Sequence, residues 1–293
     1  MKVLFYGSYG WIGSMIVERW KELYPSDTIT CSTTRLTPEN INIIKDEIQQ
    51  NDIIFSSIGR TSGTLKNGTH IPNIDYLEGN LFENARDNLY NPVMLAKICE
   101  EYNKHFSYIG TGCIFSRDTN NNNYEYTELD NPDFFGSSYS IVKGFTDDLM
   151  KLFKNVLNFR IRMPIVDYTH PKNFITKISE FKYICSYQNS MTYLPEIIPM
   201  MIEMSRLKVN GTYNMVNKGS ISHQEILDMY KEHVNPNHSY NLIKIEDLDS
   251  LLKAKRSNNI LTTKKLESIY PYSLGDIKEC VLEAIKKISL EHK

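Results

Sequence analysis

Val3-Leu4-Phe5-Tyr6 runs straight into Gly7-Ser8-Tyr9-Gly10-Trp11-Ile12-Gly13. An apolar tetrapeptide followed by glycines at the spacing G-x-x-G-x-x-G reads as a first strand and a tight turn. Beyond the turn Ile12, Ile16 and Trp20, with Met15 and Arg19 alongside, recur at helical spacing. A strand–turn–helix of this kind points main-chain N–H groups and the positive helix end at a pyrophosphate. Glycine is required where a side chain would block that approach. A glycine turn without a ligand is the competing reading, and its place directly after a first strand favours the dinucleotide loop. The opening MKVLFYGSYG resembles a short signal peptide only superficially, since its apolar run stops after four residues.

Strand and helix signals continue to alternate. Ile29 to Ser32 reads as a second strand, and Thr37-Pro38-Glu39 sets a cap residue before a first-turn proline. Ile53-Ile54-Phe55 is another buried strand, residues 91–103 a helix, and Phe106 to Ile109 a further strand. Repeated βα units imply an α/β fold, a Rossmann-type doubly wound parallel sheet that binds its ligand at the carboxyl ends of the strands. The run Asn120–Asn123 reads as an exposed loop. After Arg160-Ile161-Arg162-Met163-Pro164 the alternation weakens, and Ser222 with Glu225 forms a capping box. These changes divide the chain into a dinucleotide-binding domain over 1–163 and a smaller substrate lobe over 164–293. Neither an internal repeat nor a long linker is evident.

At 293 residues the chain is long enough for one or two domains with a large core. Its 33 Lys+Arg against 35 Asp+Glu give a net charge of −2 without a basic stripe, which argues against a nucleic-acid partner. No stretch approaches the ~18 uninterrupted apolar residues of a transmembrane helix. Five dispersed cysteines (Cys31, Cys99, Cys113, Cys185, Cys280) include no CxxC pair, and the histidines show no HExxH spacing. A reducing, cytoplasmic setting without a disulfide framework or a zinc site is expected.

The end of the second strand bears on the choice of cofactor. A site that prefers NAD usually holds the ribose 2′-hydroxyl with an acid there. Cys31-Ser32-Thr33-Thr34-Arg35 contains none. Ser32 and Arg35 suit a 2′-phosphate, because a guanidinium matches phosphate geometry, so NADP(H) is expected. Arg35 as a solvated loop residue is the alternative.

Tyr139 and Lys143 stand four apart and share one face of a helix. An ammonium near a phenol lowers its pKa, which suits proton transfer to a carbonyl oxygen, and Thr111 at a strand end would hold that oxygen. The pair alone is weak evidence. Glycine loop, strand-end threonine and YxxxK in that order are stronger.

With those residues in place, the chain resembles an extended short-chain dehydrogenase/reductase. More closely, it is similar to the bifunctional 3,5-epimerase/4-reductases that make nucleotide-linked L-rhamnose. The matching stretches are GSYGWIG, TGCIF at 111–115, FGSSYSIVK at 135–143, RMPI at 162–165 and PKNFITKI at 171–178. NSMTYL at 189–194, GTYNMVN at 211–217, SHQEILDMY at 222–230 and RSNN at 256–259 extend the match over nearly the whole chain.

The resemblance implies a UDP- or dTDP-linked 4-keto-6-deoxyglucose substrate. Its ketone acidifies C3 and C5, both centres are inverted through an enolate, and NADPH reduces C4 while Tyr139 protonates the oxygen. It also implies Cys113 as one epimerisation acid–base group and Lys177 as the other, with His170 competing. A thiol near Lys143 or the cofactor would have a lowered pKa. The cofactor contacts implied are Gly7, Gly10, Trp11, Ile12, Gly13, Ser32, Arg35, then Gly59, Arg60 and Thr61 after a fourth strand, with Tyr139 and Lys143. The substrate contacts implied are Ser137, Ser138, Asn173, Asn189 and Arg256. The Gly- and Asn-rich stretch 62–80 departs from the expected pattern. A homodimer built on a four-helix bundle and a separately supplied 4,6-dehydratase are further implications. A reductase without epimerase activity has no use for Cys113 or Lys177. A non-catalytic NADP-binding subunit, as in the regulatory subunit of methionine adenosyltransferase, would not need Thr111, Tyr139 and Lys143 intact.

Overall fold

In the computed structural model, which describes residues 1–116, 124–270 and 274–291, β1 (Lys2–Tyr6) buries Val3, Leu4 and Phe5 completely. A strand without a solvent face belongs in the middle of a sheet covered on both sides. β1 lies between β2 (Thr28–Cys31) and β3 (Ile53–Ser56), parallel to both, with Leu4 opposite Thr30 and Ile54. β4 (His105–Thr111), β5 (Val156–Ile161) and β6 (Gly211–Asn214) complete a six-stranded sheet ordered β6-β5-β4-β3-β1-β2. The chain reverses direction across the sheet between β1 and β3, and the glycine turn follows β1 at that switch point.

The two faces of β1 and β3 pack separately, as period-2 alternation requires. Phe5 stacks on Phe55 at 4.8 Å, Phe55 on Phe159 at 6.1 Å, and Trp20 of α1 (Trp11–Leu23) meets Phe55 edge-on at 6.2 Å. Leu4, Tyr6 and Ile54 turn the other way. They pack in one cluster with Ile44 and Ile48 of α2 (Ile41–Gln49) and with Leu95 and Ile98 of α3 (Asn91–Glu101).

Local differences from the sequence reading have physical causes. Thr37-Pro38-Glu39 opens a single 3-10 turn, Pro38–Asn40, and Thr37 makes no side-chain cap; the α-helix begins only at Ile41. The helix expected over 91–103 is preceded by an α-turn at Leu81–Ala85 and a π-turn at Arg86–Tyr90. Pro92, which has no N–H to donate, tolerates the broken ladder at that junction. Gly59, Arg60 and Thr61 follow the third strand, not a fourth, because only two βα units precede them. Stretch 62–80 forms a hairpin pairing Gly63–Thr64 with His70–Ile71, then a 3-10 segment at Ile74–Gly79. The run Asn120–Asn123 lies outside the described residues.

Two compact units make up the chain. The first comprises Met1–Ile114, Asn131–Arg160 and Ile198–Tyr213, so the sheet recruits a segment from well beyond 163. Inside it α4 (Ser138–Met150) places Asp147 against β5. The carboxylate accepts from Arg160 Nε at 2.9 Å and Nη2 at 2.6 Å, and from Asn158 Nδ2 at 2.8 Å. The second unit comprises Phe115–Asp130, Ile161–Ile197 and Asn214–Lys293. Its core gathers Ile175 and Ile178 of α5 (Phe174–Ser179), Ile226 and Leu227 of α6 (His223–His233), and Val281, Ile285 and Ile288 of α7 (Ile277–Glu291). Ser222 and Glu225 form the expected capping box at the start of α6, both hydrogen bonds being present.

Candidate active site

Gly7 has φ +85°, where L side chains are strained, and a Cβ on it would lie 2.8 Å from Ser57 Oγ. A Cβ on Gly13 would lie 2.2 Å from the Gly7 carbonyl oxygen. The turn therefore closes only with glycine at both places. Gly10 caps α1 and donates its N–H to Gly7 O at 3.0 Å. No acid neutralises the first turn of α1, and Ser8 Oγ is buried without a partner. A positive helix end beside an unsatisfied buried hydroxyl fits the pyrophosphate of a dinucleotide. Trp11 and Ile12 stand at the same helix start, each half-buried.

Past β2, Ser32 is turned inward. Its hydroxyl donates to the Glu47 carboxylate at 3.0 Å and accepts the Thr34 N–H at 3.1 Å. Thr34 and Tyr6 donate to the same carboxylate at 2.7 and 2.6 Å. Ser32 thus serves as scaffold, while Arg35 is exposed. Arg60 is similarly committed: Asn88 clamps its main chain on both sides at 2.9 Å, and its guanidinium faces Asp87 and Glu83. Gly59 and Thr61, on either side of it, are exposed.

Thr111, Cys113, Tyr139 and Lys143 lie together at the end of β4. Thr111 hydrogen-bonds Tyr139, and Thr111 Oγ1 accepts the Cys113 N–H at 3.1 Å. Burial pushes the Tyr139 phenol well above its ordinary value, the charge of Cys113 adds to that rise, and Thr111 opposes it. Tyr139 therefore stays protonated at neutral pH, as a proton donor must. Lys143, one turn along α4, is 5% exposed. Burial brings its ammonium down to about 7, against the opposing charges of Asp147 and Cys113. The ammonium donates to the phenol of Tyr108 rather than to Tyr139. Ser137 caps α4 through Ser140 N at 3.1 Å, and Ser138 Oγ accepts from Asn84 at 3.2 Å.

In the second unit Lys177 is half-buried on α5, and burial followed by the charge of Lys172 lowers its pKa. His170 also falls below its ordinary value, through burial first and then Lys172 and Lys177, and its Nδ1 accepts the Lys172 N–H at 3.0 Å. Asn173 is the N-cap of α5: its Oδ1 accepts from Ile175 N at 3.2 Å, and its Nδ2 donates to Val166 O and Tyr168 O. Asn189 is fully buried and ties Arg162 to Asn258 and Asn259. Arg256 is half-buried and folds onto the Ala254 carbonyl.

No family model matches the chain. It is 45% identical over 298 residues to the uncharacterized protein L780 of Acanthamoeba polyphaga mimivirus, covering 99% of this chain and 100% of that one. The crystal structure of the L780 UDP-rhamnose synthase superposes with a TM-score of 0.89 at 44% identity, over 98% of this chain and 99% of that chain. A bifunctional dTDP-4-dehydrorhamnose 3,5-epimerase/dTDP-4-dehydrorhamnose reductase of Arabidopsis thaliana is 34% identical over 286 residues, 96% of this chain and 91% of its own. The chain belongs to the rhamnose-forming epimerase/reductase family. A dTDP-4-dehydrorhamnose reductase of Bacillus anthracis in complex with NADP matches with a TM-score of 0.75 at 20% identity, which shows the shared fold.

For a member of the epimerase/reductase family, the sequence motifs lead directly to the residues at the β4 end and at the glycine turn. Three further side chains were given no role by the sequence reading. Tyr108, Glu47 and Arg162 each act through a partner distant in sequence, at separations of 35, 15 and 27 residues. Only Arg162 carried a signal, its place in RMPI.

Proposed function

We propose that this protein converts UDP-4-keto-6-deoxy-D-glucose to UDP-L-rhamnose, acting as a 3,5-epimerase and an NADPH-dependent 4-reductase. The observation that carries the reading is the convergence of Thr111, Cys113, Tyr139 and Lys143 at one strand end. A ketone-reducing site needs a donor to its oxygen and a protonated acid, and an epimerase needs a group that exchanges protons beside the ketone.

In this reading Thr111 and Tyr139 hold the C4 oxygen, so that negative charge developing there is stabilised. Cys113 and Lys177 remove and return the protons at C3 and C5. Lys177 is preferred to His170 because the His170 Nδ1 already accepts a main-chain N–H. NADPH, when bound, supplies hydride to C4. Tyr139 gives its proton to the oxygen, and Lys143 stabilises the phenolate left behind. Gly7, Gly10 and Gly13 admit the pyrophosphate, and Arg35 is the side chain available to a 2′-phosphate. Arg256, Ser137 and Ser138 are proposed to contact the nucleotide sugar, whereas Asn173 and Asn189 act by shaping that lobe.

The chain works as a homodimer in this proposal. Phe145, Leu149 and Leu152 are exposed at i, i+4 and i+7 along α4 and its end, and Leu81 and Phe82 are exposed in the same unit. A 4,6-dehydratase site distinct from this one supplies the keto-sugar. No cysteine is in a disulfide, and a thiol catalyst is best kept in the reducing cytoplasm. No described helix is long and apolar enough to cross a membrane.

The test is to supply UDP-4-keto-6-deoxyglucose and NADPH in D₂O, following absorbance at 340 nm and the product by NMR. Deuterium at C3 and C5 in a rhamno product is the expected result. NADPH oxidation without deuterium would leave a reductase alone, and binding without oxidation would leave a non-catalytic subunit.

A further inference from the structure

Tyr108 lies in β4 three residues before Thr111, and its side chain is 1% exposed. Lys143 donates to its phenol oxygen, and the lysine nitrogen lies 4.6 Å from the ring centroid. We propose that Tyr108 is a positioning residue of the reductase, a buried acceptor that fixes where the Lys143 ammonium sits and keeps it charged for the cofactor and for Tyr139. The inference rests on the reductase reading above and adds to it a residue that no motif marks.

An ammonium carries three donors. One is taken by Tyr108, which leaves two N–H groups for other partners. Among the described residues, the groups that bear on Lys143 are Tyr108 from β4 by hydrogen bond and Asp147 of α4 and Cys113 through charge, while Tyr139, one turn away on α4, acts on Tyr108. Asp147 is held by Arg160 and Asn158, with Lys151 at 3.5 Å, so its charge is shared among other cations. Cys113 acts on Lys143 through charge. Tyr108 supplies a direct acceptor, and a charge-assisted bond in a dry site stabilises the charged form most. Removing the oxygen while keeping the ring leaves packing and the cation–π contact in place and takes away that preference. The lysine then loses its proton at lower pH, and its grip on the cofactor weakens under the same conditions.

The experiment is Tyr108→Phe, read two ways: the pH profile of NADPH oxidation with the 4-keto-sugar between pH 5.5 and 9, and NADPH affinity by fluorescence titration at pH 6 and pH 8. The alkaline limb should move about one unit toward acid. The NADPH Kd should rise about fivefold at pH 8 and change little at pH 6, with kcat falling more than KM rises. An unmoved limb and an unchanged Kd would overturn the proposal, because a purely structural tyrosine would lower Tm and leave both readouts alone. Tyr108→Met fills the same space flexibly without a strong acceptor; it must move both readouts the same way, and takes over if the Phe variant does not fold. If the wild-type protein binds NADPH but never oxidises it, the reductase reading falls, and the two-pH titration alone decides the role of Tyr108.

Discussion

The Ser32 hydroxyl donates to the Glu47 carboxylate at 3.0 Å, joining the end of β2 to α2. An acid is thus present near the β2 end after all, but it comes from a helix and is satisfied by three protein hydroxyls, those of Tyr6, Ser32 and Thr34. It braces the loop rather than presenting itself to a ribose. Ser32, which gives its hydrogen to Glu47, is not left to donate to a 2′-phosphate. In the proposed function that task is assigned to Arg35, which is exposed.

Arg35→Ala should therefore weaken NADPH binding about tenfold while changing NADH binding less than twofold. Fluorescence titration of both cofactors checks this. Equal losses for the two would mean that Arg35 does not read the 2′-phosphate.

Cys113→Ser and Lys177→Met should each slow deuterium exchange at C3 or C5 by at least about 100-fold, the scale of a lost general acid–base group. NADPH affinity should hold in both. Exchange at the wild-type rate in either variant would remove that residue from the acid–base pair and bring His170 forward.

The Asp147–Arg160 pair has side-chain exposures of 4% and 0%. Arg160→Met would leave a buried carboxylate with Asn158 and Lys151 as its remaining partners. A loss of about 3–5 kcal/mol in folding stability is expected by urea denaturation. A loss below about 1 kcal/mol would show that those partners suffice.

Asp27 makes part of the stability pH-dependent. Burial opposes its ionisation, but hydrogen bonds from Arg206, the N-terminal ammonium and Trp20 outweigh it and hold the carboxyl at about 2. Because the folded value lies below the ordinary 3.8, the contribution is complete above about pH 4 and is lost as pH falls from there toward 2. It amounts to roughly 2 kcal/mol. Thermal melts from pH 2 to pH 6 should show Asp27→Asn less stable at neutral pH, with a shallower acid limb. Parallel curves for the two proteins would contradict this account.

Local physics made much of the architecture readable in advance. The four apolar residues before Gly7 mark β1, the glycine spacing marks its turn, and Ser222 with Glu225 marks the start of α6. Each of these signals acts within a few residues, where chain geometry leaves little choice. The π-turn before Asn91 was not legible, since nothing in LFENARDNLY distinguishes a wide helical turn from a regular one. Asn173 carried a single reading, the substrate contact that the resemblance implies. The structure places it as the cap.

By itself the sequence determined where β1 to β4 lie and where the glycine turn falls, and it grouped Thr111, Cys113, Tyr139 and Lys143 for the chemistry proposed above, while β5 and β6 went unread. Tertiary structure alone decided what each of these groups leans on. Lys143 meets a tyrosine 35 residues earlier, Ser32 an acid 15 residues later, and Asp27 an arginine 179 residues away. Periodicity tells which face of an element a side chain occupies, but not which neighbour waits across the interface. The desolvation that tunes Lys143 and Tyr139 exists only once that interface has closed.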